Sequence, residues 1–396
     1  MKKYSNFLSK LFLVTLISSF CLQLNALAPT DKDVEIFNPV QTQVPSLTIA
    51  PDARGGGMGD VGAATTPDIY SQHWNPSKYA FAYSDGGLGI SYTPWLRKLV
   101  NDMYMLYVAG YYKPGDSDLQ AIGASMRYFS MGEITGTHDD GQPSGLTLNP
   151  YDMAFDVSYS RKLGERFAGG VSLRYIHSDM GISDESRKPG HAFGADLSGY
   201  YTDYVMIGHN ECQVGFGFNI SNIGTKISFG EDYSYFIPTN LRLGGSFFFP
   251  FDQYNMMSVN LDLNKYLVPT PPITKRGEDG GEEAWDEYDN TSSIGGIFKS
   301  FADSHNGFKG EMQEISVSLG AEYSYNDMFF VRAGYHHESQ NQGNRKYFTM
   351  GAGFKMSIFQ LDAAYLISTV ASNPLDQTLR FSLGFDMAGL RELFKR

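Results

Sequence analysis

"TLRFSLGF", Thr378 to Phe385, alternates with a period of two. Leu379, Phe381, Leu383 and Phe385 share one side, and Thr378, Arg380, Ser382 and Gly384 share the other. Successive side chains of a strand point to opposite faces, so the stretch reads as a strand with one oily and one wet face. The pattern recurs in "ISVSLGAEY" (Ile315–Tyr323), "FQLDAAYLI" (Phe359–Ile367) and "MSVNLDLN" (Met257–Asn264). Followed along the chain, it predicts strands near 83–93, 103–112, 118–130, 151–162, 167–177, 191–203, 212–221, 239–249, 256–266, 313–324, 328–337, 346–356, 358–369 and 376–386. The reading is least clear from Tyr200 to Asn210, where aromatic residues fall on both faces.

The connections alternate in length. "KPGDSD", "GER", "FDQYN", "YND" and "MS" are short, whereas "HDDGQPSGLTLNP", "SDMGISDESRKPG", "GEDYSYFIP" and 267–312 are long. Short turns at one rim and long loops at the other are the signature of an outer-membrane barrel. A closed barrel is one of two ways to satisfy every backbone group in lipid. A soluble β-sandwich would bury the same apolar faces, but it does not call for so many strands, that loop asymmetry, or 28 Phe and 26 Tyr. The fold class expected is all-β: a 14-stranded antiparallel outer-membrane β-barrel over 83–387, preceded by a hatch segment. An even strand number puts both chain ends on the short-turn side, the periplasm.

The start of the chain fits export. Lys2, Lys3 and Lys10 flank the apolar run Leu11–Leu24, and small residues follow at Ala26 and Ala28. This is the pattern of a secretory signal peptide, 1–28. Beyond it no apolar run reaches the ~20 residues of a spanning helix. The formal charge of −12 deepens to about −15 once the leader's lysines are gone, which argues against nucleic acid as a partner. Cys212 is then the one remaining cysteine, so no internal disulfide forms and thiolate metal binding is disfavoured.

The polar faces carry charge of both signs. Arg127, Arg174, Arg242, Arg332 and Arg380 lie on different strands, as do Asp156, Asp262, Glu322 and Asp362. Opposite charges around one lumen predict a cross-linked interior rather than a one-sign ion filter; a solute track is the alternative.

Before the first strand stands "GMGDVG", Gly57–Gly62, a letter-for-letter G-x-G-x-x-G. That motif holds a pyrophosphate only between a buried strand and a helix in a βα chain. Pro45 and Pro51 precede it, and proline cannot donate within a sheet. The nucleotide reading therefore fails, and no cofactor is expected. The run "PDARGGGMGDVGAATTPDIYSQHWNPSKYAF" and the aromatic strand "GISYTPWL" instead resemble the hatch of FadL-like barrels, and within them the PorV family of the type IX secretion system. "MRYFSMGEIT", "YSRKL" and "SLRYIHSDM" carry the same resemblance, which spans about Pro51 to Met387.

The resemblance implies a segment 29–82 folded back into the periplasmic mouth. Its hatch residues would be Arg54, Gly55, Gly56, Gly57, Gly59, Gly62, Trp74, Asn75 and Pro76, with glycines allowing close backbone approach. Asn75 suits a cap and Pro76 a first helical position. The resemblance also implies a role. Such a protein binds the C-terminal signal domain of secreted cargo, takes it from the translocon Sov/SprA, and delivers it to the sortase PorU. That work takes place in outer-membrane lipid and needs no catalytic residue.

A role of that kind needs an adhesive loop. In the longest one, "RGEDGGEEAWDEYDN" interleaves acids with Trp285 and Tyr288. Ile294, Ile297, Phe298 and Phe301 follow at helical spacing behind a Thr291–Ser293 cap. An exposed apolar stripe there suits a partner groove. The acids lack the regular spacing of a calcium loop, so no metal is expected. Two other functions compete. One is a channel for hydrophobic molecules, as in the fatty-acid transporters. The other is an enzyme of the lipid A deacylase type. His337 and Ser339 stand two apart, as a base and nucleophile on an outward strand face would. A third residue to orient the histidine is missing, and the protein is not expected to be an enzyme. The tail 388–396, "AGLRELFKR" from Ala388, has no assigned role.

Overall fold

The computed structural model describes residues 37–97, 100, 102–115, 118–137, 142–181, 188–230, 234–356, 358–370 and 375–387. The expected signal peptide 1–28 and the tail 388–396 lie outside them.

Fourteen antiparallel strands close into a barrel. They are β1 (Gly86–Pro94), β2 (Tyr104–Tyr112), β3 (Gln120–Ser130), β6 (Tyr151–Lys162), β7 (Phe167–Asp179), β8 (Gly190–Ile207), β9 (Asn210–Gly224), β10 (Asn240–Pro250), β11 (Asn255–Tyr266), β12 (Ser316–Tyr325), β13 (Phe329–His337), β14 (Lys346–Lys355), β15 (Phe359–Ser368) and β16 (Leu379–Asp386). The remaining pair, β4 (Ile134–Thr137) and β5 (Pro143–Leu148), forms a separate hairpin within the loop between β3 and β6. The alternation in sequence does not announce that hairpin. Each strand pairs with its neighbour, and β1 closes on β16 through Leu88↔Phe385, Ile90↔Leu383 and Tyr92↔Phe381. Among the described residues no helix is long and apolar enough to cross a membrane.

Period two decides what faces where. In β16 Arg380 and Ser382 are buried inside, while Phe381 and Phe385 are exposed outside. In β12 Ser318, Glu322 and Ser324 point in, while Leu319 and Tyr323 point out. The core is therefore polar and the surface apolar, the inverse of a soluble sandwich. At the long-loop rim, rings step across strands. Tyr92 meets Tyr104 at 5.9 Å, Tyr104 meets Tyr128 at 6.1 Å, and Tyr128 meets Tyr151 at 5.5 Å between centroids. Amphipathic rings at that level mark a membrane–water interface.

Two strands outrun their expected bounds. β8 has 18 residues and β9 has 15. Both continue past their neighbours at the short-turn end, through the stretch where the alternation blurs.

Candidate functional site: the filled lumen and the long-loop face

Residues 38–82 occupy the barrel interior from one end to the other. The segment runs from the short-turn mouth to the long-loop end. Asn38 donates to Pro271 O at 2.6 Å, Gln43 N–H to Phe236 O at 2.9 Å, and Ser46 Oγ to Asp152 at 2.6 Å. The segment then descends through a one-turn helix, Ala53–Gly56, to a 3₁₀ turn, Pro76–Phe81, packed against β6 and β7.

Glycines make this filling possible. Trp74 lies against Gly55 and Gly62, and a Cβ at Gly55 would meet the indole at 2.5 Å. A Cβ at Gly56 would meet Arg380 at 2.6 Å, and one at Gly57 would stand 3.2 Å from Gly351 Cα. Gly59 has φ +75° with the Tyr335 backbone beneath it, so both conformation and space exclude a side chain. Asp52 locks the arrangement: its carboxylate accepts Gly55 N–H at 2.7 Å and Trp74 Nε1–H at 2.6 Å. Asn75 caps the turn that Pro76 opens, accepting Ser77 N–H at 3.2 Å, and donates to Ala63 O and Gly199 O.

The lumen charges join segment to wall. Arg54 pairs with Asp68 at 2.8 Å and with Glu322 at 2.9 Å. Glu322 also holds Arg332 at 2.6 Å, and Arg332 holds Asp362 at 2.6 Å. Signs thus alternate along Asp68–Arg54–Glu322–Arg332–Asp362. Across the barrel Arg174 bridges Asp156 and Asp196. Asp262 accepts the N–H groups of Gly62 and Ala63 at 2.8 and 2.9 Å. Arg242 lies over the Trp74 ring at 4.6 Å, and Arg127 contacts His73 Nδ1 at 2.9 Å. Arg380 faces Asp60 at 3.5 Å. The expected cross-linked interior is present, with a feature the sequence did not reveal: several of the partners belong to the lumenal segment.

Above the segment a vestibule of about 1150 Å³ opens at the long-loop end, lined among others by Val40, Trp95, Phe129, Trp285, Glu338 and Arg345. Its roof is the longest loop, which folds as helices Gly281–Asn290, Ser293–Lys299 and Gly307–Gln313. Trp285 and Tyr288 do not project outward as a sticky surface. Trp285 Nε1 donates to Thr274 O at 2.8 Å, and Tyr288 packs edge-on against Phe236 at 5.4 Å. Ile297 is half-buried. Ser292 caps the second helix by accepting Gly295 N–H. Ile294, Phe298 (75% exposed) and Phe301 do face outward, and Phe308 (81%) and Met312 extend the ridge. The sequence reading missed these last two, because a turn separates their helix from the first stripe.

Behind the ridge, Asp303, Glu311 and Glu314 lie close together. Lys265 Nζ sits among them, 2.9 Å from Glu311 and in contact with Glu314, and supplies the positive charge. Burial lifts both Asp303 and Glu314 above the ordinary carboxyl range.

His337 and Ser339 are not brought together. β13 ends at His337, and Ser339 leaves the strand to cap the turn Gln340–Gln342, its Oγ accepting Asn341 N–H at 3.4 Å. His337 Nδ1 lies 3.4 Å from Tyr335 Oη. The strand register that would align base and nucleophile is lost one residue too soon.

Comparison with known proteins bears on the same features. The family described as "Type IX secretion system protein PorV" matches residues 32–273, more than half of the chain. No curated protein matches the sequence. Among solved structures, a TodX deltaS2S3 mutant monoaromatic hydrocarbon channel superposes with a TM-score of 0.51 at 11% identity, over 84% of this chain and 98% of that one. The Pseudomonas putida toluene transporter TodX gives 0.49 at 11% identity, over 89% and 99%. A Pseudomonas aeruginosa FadL homologue gives 0.43 at 11% identity, over 89% and 100%. The first of these likenesses bears on the fold alone: a FadL-like barrel.

Proposed function

Because this chain belongs to the PorV family of type IX secretion system proteins, an outer-membrane β-barrel by fold, we propose that it is a non-catalytic carrier for secreted cargo. In this reading it binds the C-terminal signal domain of a cargo protein as that protein leaves the translocon Sov/SprA. It then presents the cargo to the sortase PorU at the cell surface. The long loops face outward and the short turns face the periplasm.

The observation that carries the reading is the apolar ridge Ile294–Phe298–Phe301–Phe308–Met312 on the long-loop helices. Isolated exposed apolar residues are ordinary, but five of them within 294–312, on two successive loop helices and the turn between, suit a protein contact. The filled lumen supports the same reading, since a carrier needs a surface and not a bore. A channel for hydrophobic molecules fits the fold and the vestibule, but a polar, charge-bridged interior is a poor path for an oily solute.

Replacing Ile294, Phe298, Phe301 and Phe308 together by serine tests the proposal. The barrel should still insert, keeping its heat-dependent gel mobility, while attached cargo falls at least about tenfold, as expected when a central apolar hot spot is lost. Normal secretion and attachment by that strain removes the ridge from the mechanism.

A further inference from the structure

Two histidines meet on the outer wall at the long-loop rim. His177 on β7 stands directly opposite His191 on β8 in the strand register. Their neighbours Ile176, Ser178 and Ala192 are buried inside, so period two turns both imidazoles outward. Tyr151 on β6 and Tyr175 on β7 share that outward face, because Asp152, Arg174 and Ile176 beside them are buried. His177 is half-buried and His191 exposed, which leaves one side of the pair open to solvent.

Their donor atoms converge. The two Nδ1 atoms lie 3.3 Å apart and the ring centres 4.9 Å, so the nitrogens turn toward each other. Tyr175 Oη stands 2.7 Å from His191 Nδ1. A neutral imidazole nitrogen offers either one proton or one lone pair. His191 Nδ1 therefore has two polar neighbours and can serve only one of them fully, whereas a cation placed between the three atoms would serve all of them. The spacing suits one: zinc–nitrogen bonds of about 2.0–2.1 Å at a tetrahedral angle set two ligand nitrogens about 3.3–3.4 Å apart. The far nitrogen of His177 has its own partner, with Nε2 lying 3.2 Å from Tyr151 Oη. Donating its proton there leaves the lone pair on Nδ1, and such an outer contact is what orients a metal-binding histidine.

We propose that His177 and His191 form a binding site for a divalent transition cation of the zinc class. The two Nδ1 lone pairs hold the ion, Tyr175 Oη is the third donor, and water takes the open side. The ion replaces the contact that the two nitrogens make with each other. Imidazole donors select zinc, copper or nickel over magnesium and calcium. The site is separate from Asp303, Glu311 and Glu314, where Lys265 already supplies the positive charge. It does not rest on the carrier role, so either reading can fail alone.

The test uses the full-length protein, purified in detergent without a polyhistidine tag and titrated with Zn²⁺ against a chromophoric chelator. The parent should bind one Zn²⁺ that the double variant His177→Gln, His191→Gln does not bind. Each single variant should weaken that site at least about tenfold, since even an outer partner of a ligand is worth that much. Excess Mg²⁺ should leave the zinc in place. Loaded with Cu²⁺ as a spectroscopic probe, the parent should show coupling to two imidazole nitrogens by electron paramagnetic resonance, and each single variant to one. Heat-dependent mobility confirms that the variants fold. Equal zinc binding by the parent and the double variant, displacement of the zinc by Mg²⁺, or a copper spectrum without the two-nitrogen coupling each overturn the proposal.

Discussion

Glu322 stands between two arginines, Arg54 from the lumenal segment and Arg332 from the neighbouring strand, and all three are buried. A buried charge that loses its partner costs far more than the pair contributes, about 3–5 kcal/mol. Glu322→Gln therefore leaves two guanidinium groups competing for Asp68 and Asp362, and the segment should loosen first at Arg54. Trypsin added to the purified barrel should cut the variant at Arg54 much faster than the parent, whose Arg54 is 8% exposed. The double change Arg54→Met, Glu322→Leu replaces charge with packing and should recover most of the protection; equal cutting of the parent and Glu322→Gln would show that the ladder does not hold the segment. The sequence made the inward placement of these residues legible through period two. It did not show the partners, since Arg54 and Glu322 lie 268 positions apart and alternation ranks no long-range pair. The same limit misplaced His337 and Ser339. Spacing puts them on one strand face, but a serine just past a strand end is free to serve the loop that follows, and the Ser339 hydroxyl is used by the backbone of the next turn.

Elements repeat the lesson at larger size. Wherever one face meets lipid and the other the lumen, a strand announces itself, and each of the fourteen wall strands lies close to its expected place. Where that environment ends, so does the signal. β4 and β5 pair above the wall, with exposed residues such as Ile134 and Leu146, and they read as loop. The ends of β8 and β9 project beyond the rim, and their aromatic residues fall on both faces because neither face is assigned by the bilayer. The long-loop helices were half legible: the apolar stripe was visible, but the inward turn of Trp285 and Tyr288 depends on Phe236, far away in sequence. Their support also makes a pH prediction. Burial raises Asp303 and Glu314 in the folded loop. A raised acid favours the folded state below its unfolded pKa and loses that contribution as pH rises through the folded value. The loop should thus resist protease better just below the ordinary carboxyl range than at neutral pH. Glu314→Gln should flatten the difference, and an unchanged pH profile in that variant would assign the effect elsewhere.

For the whole molecule the decisive relation is between wall and filling. The closed hydrogen-bonded wall satisfies every strand in lipid, yet it would enclose water unless something occupied its axis. The segment 38–82 does so, anchored above by Ser46 on Asp152, midway by Gly62 and Ala63 on Asp262, and below by Arg54 on Glu322. The anchors are spread over the height of the barrel, so losing one leaves the others in place. A plugged barrel and an open channel then differ in a measurable way. Reconstituted in a planar bilayer, the protein should show little steady ion conductance. Asp262→Asn or Glu322→Gln alone should change this slightly, because each variant keeps the remaining anchors. The two together should raise conductance well beyond the sum of the single effects, since either anchor left intact still holds the segment in the lumen. A large conductance in the unaltered protein would instead mean that water and ions pass the segment, and the channel reading would then regain its claim on this fold.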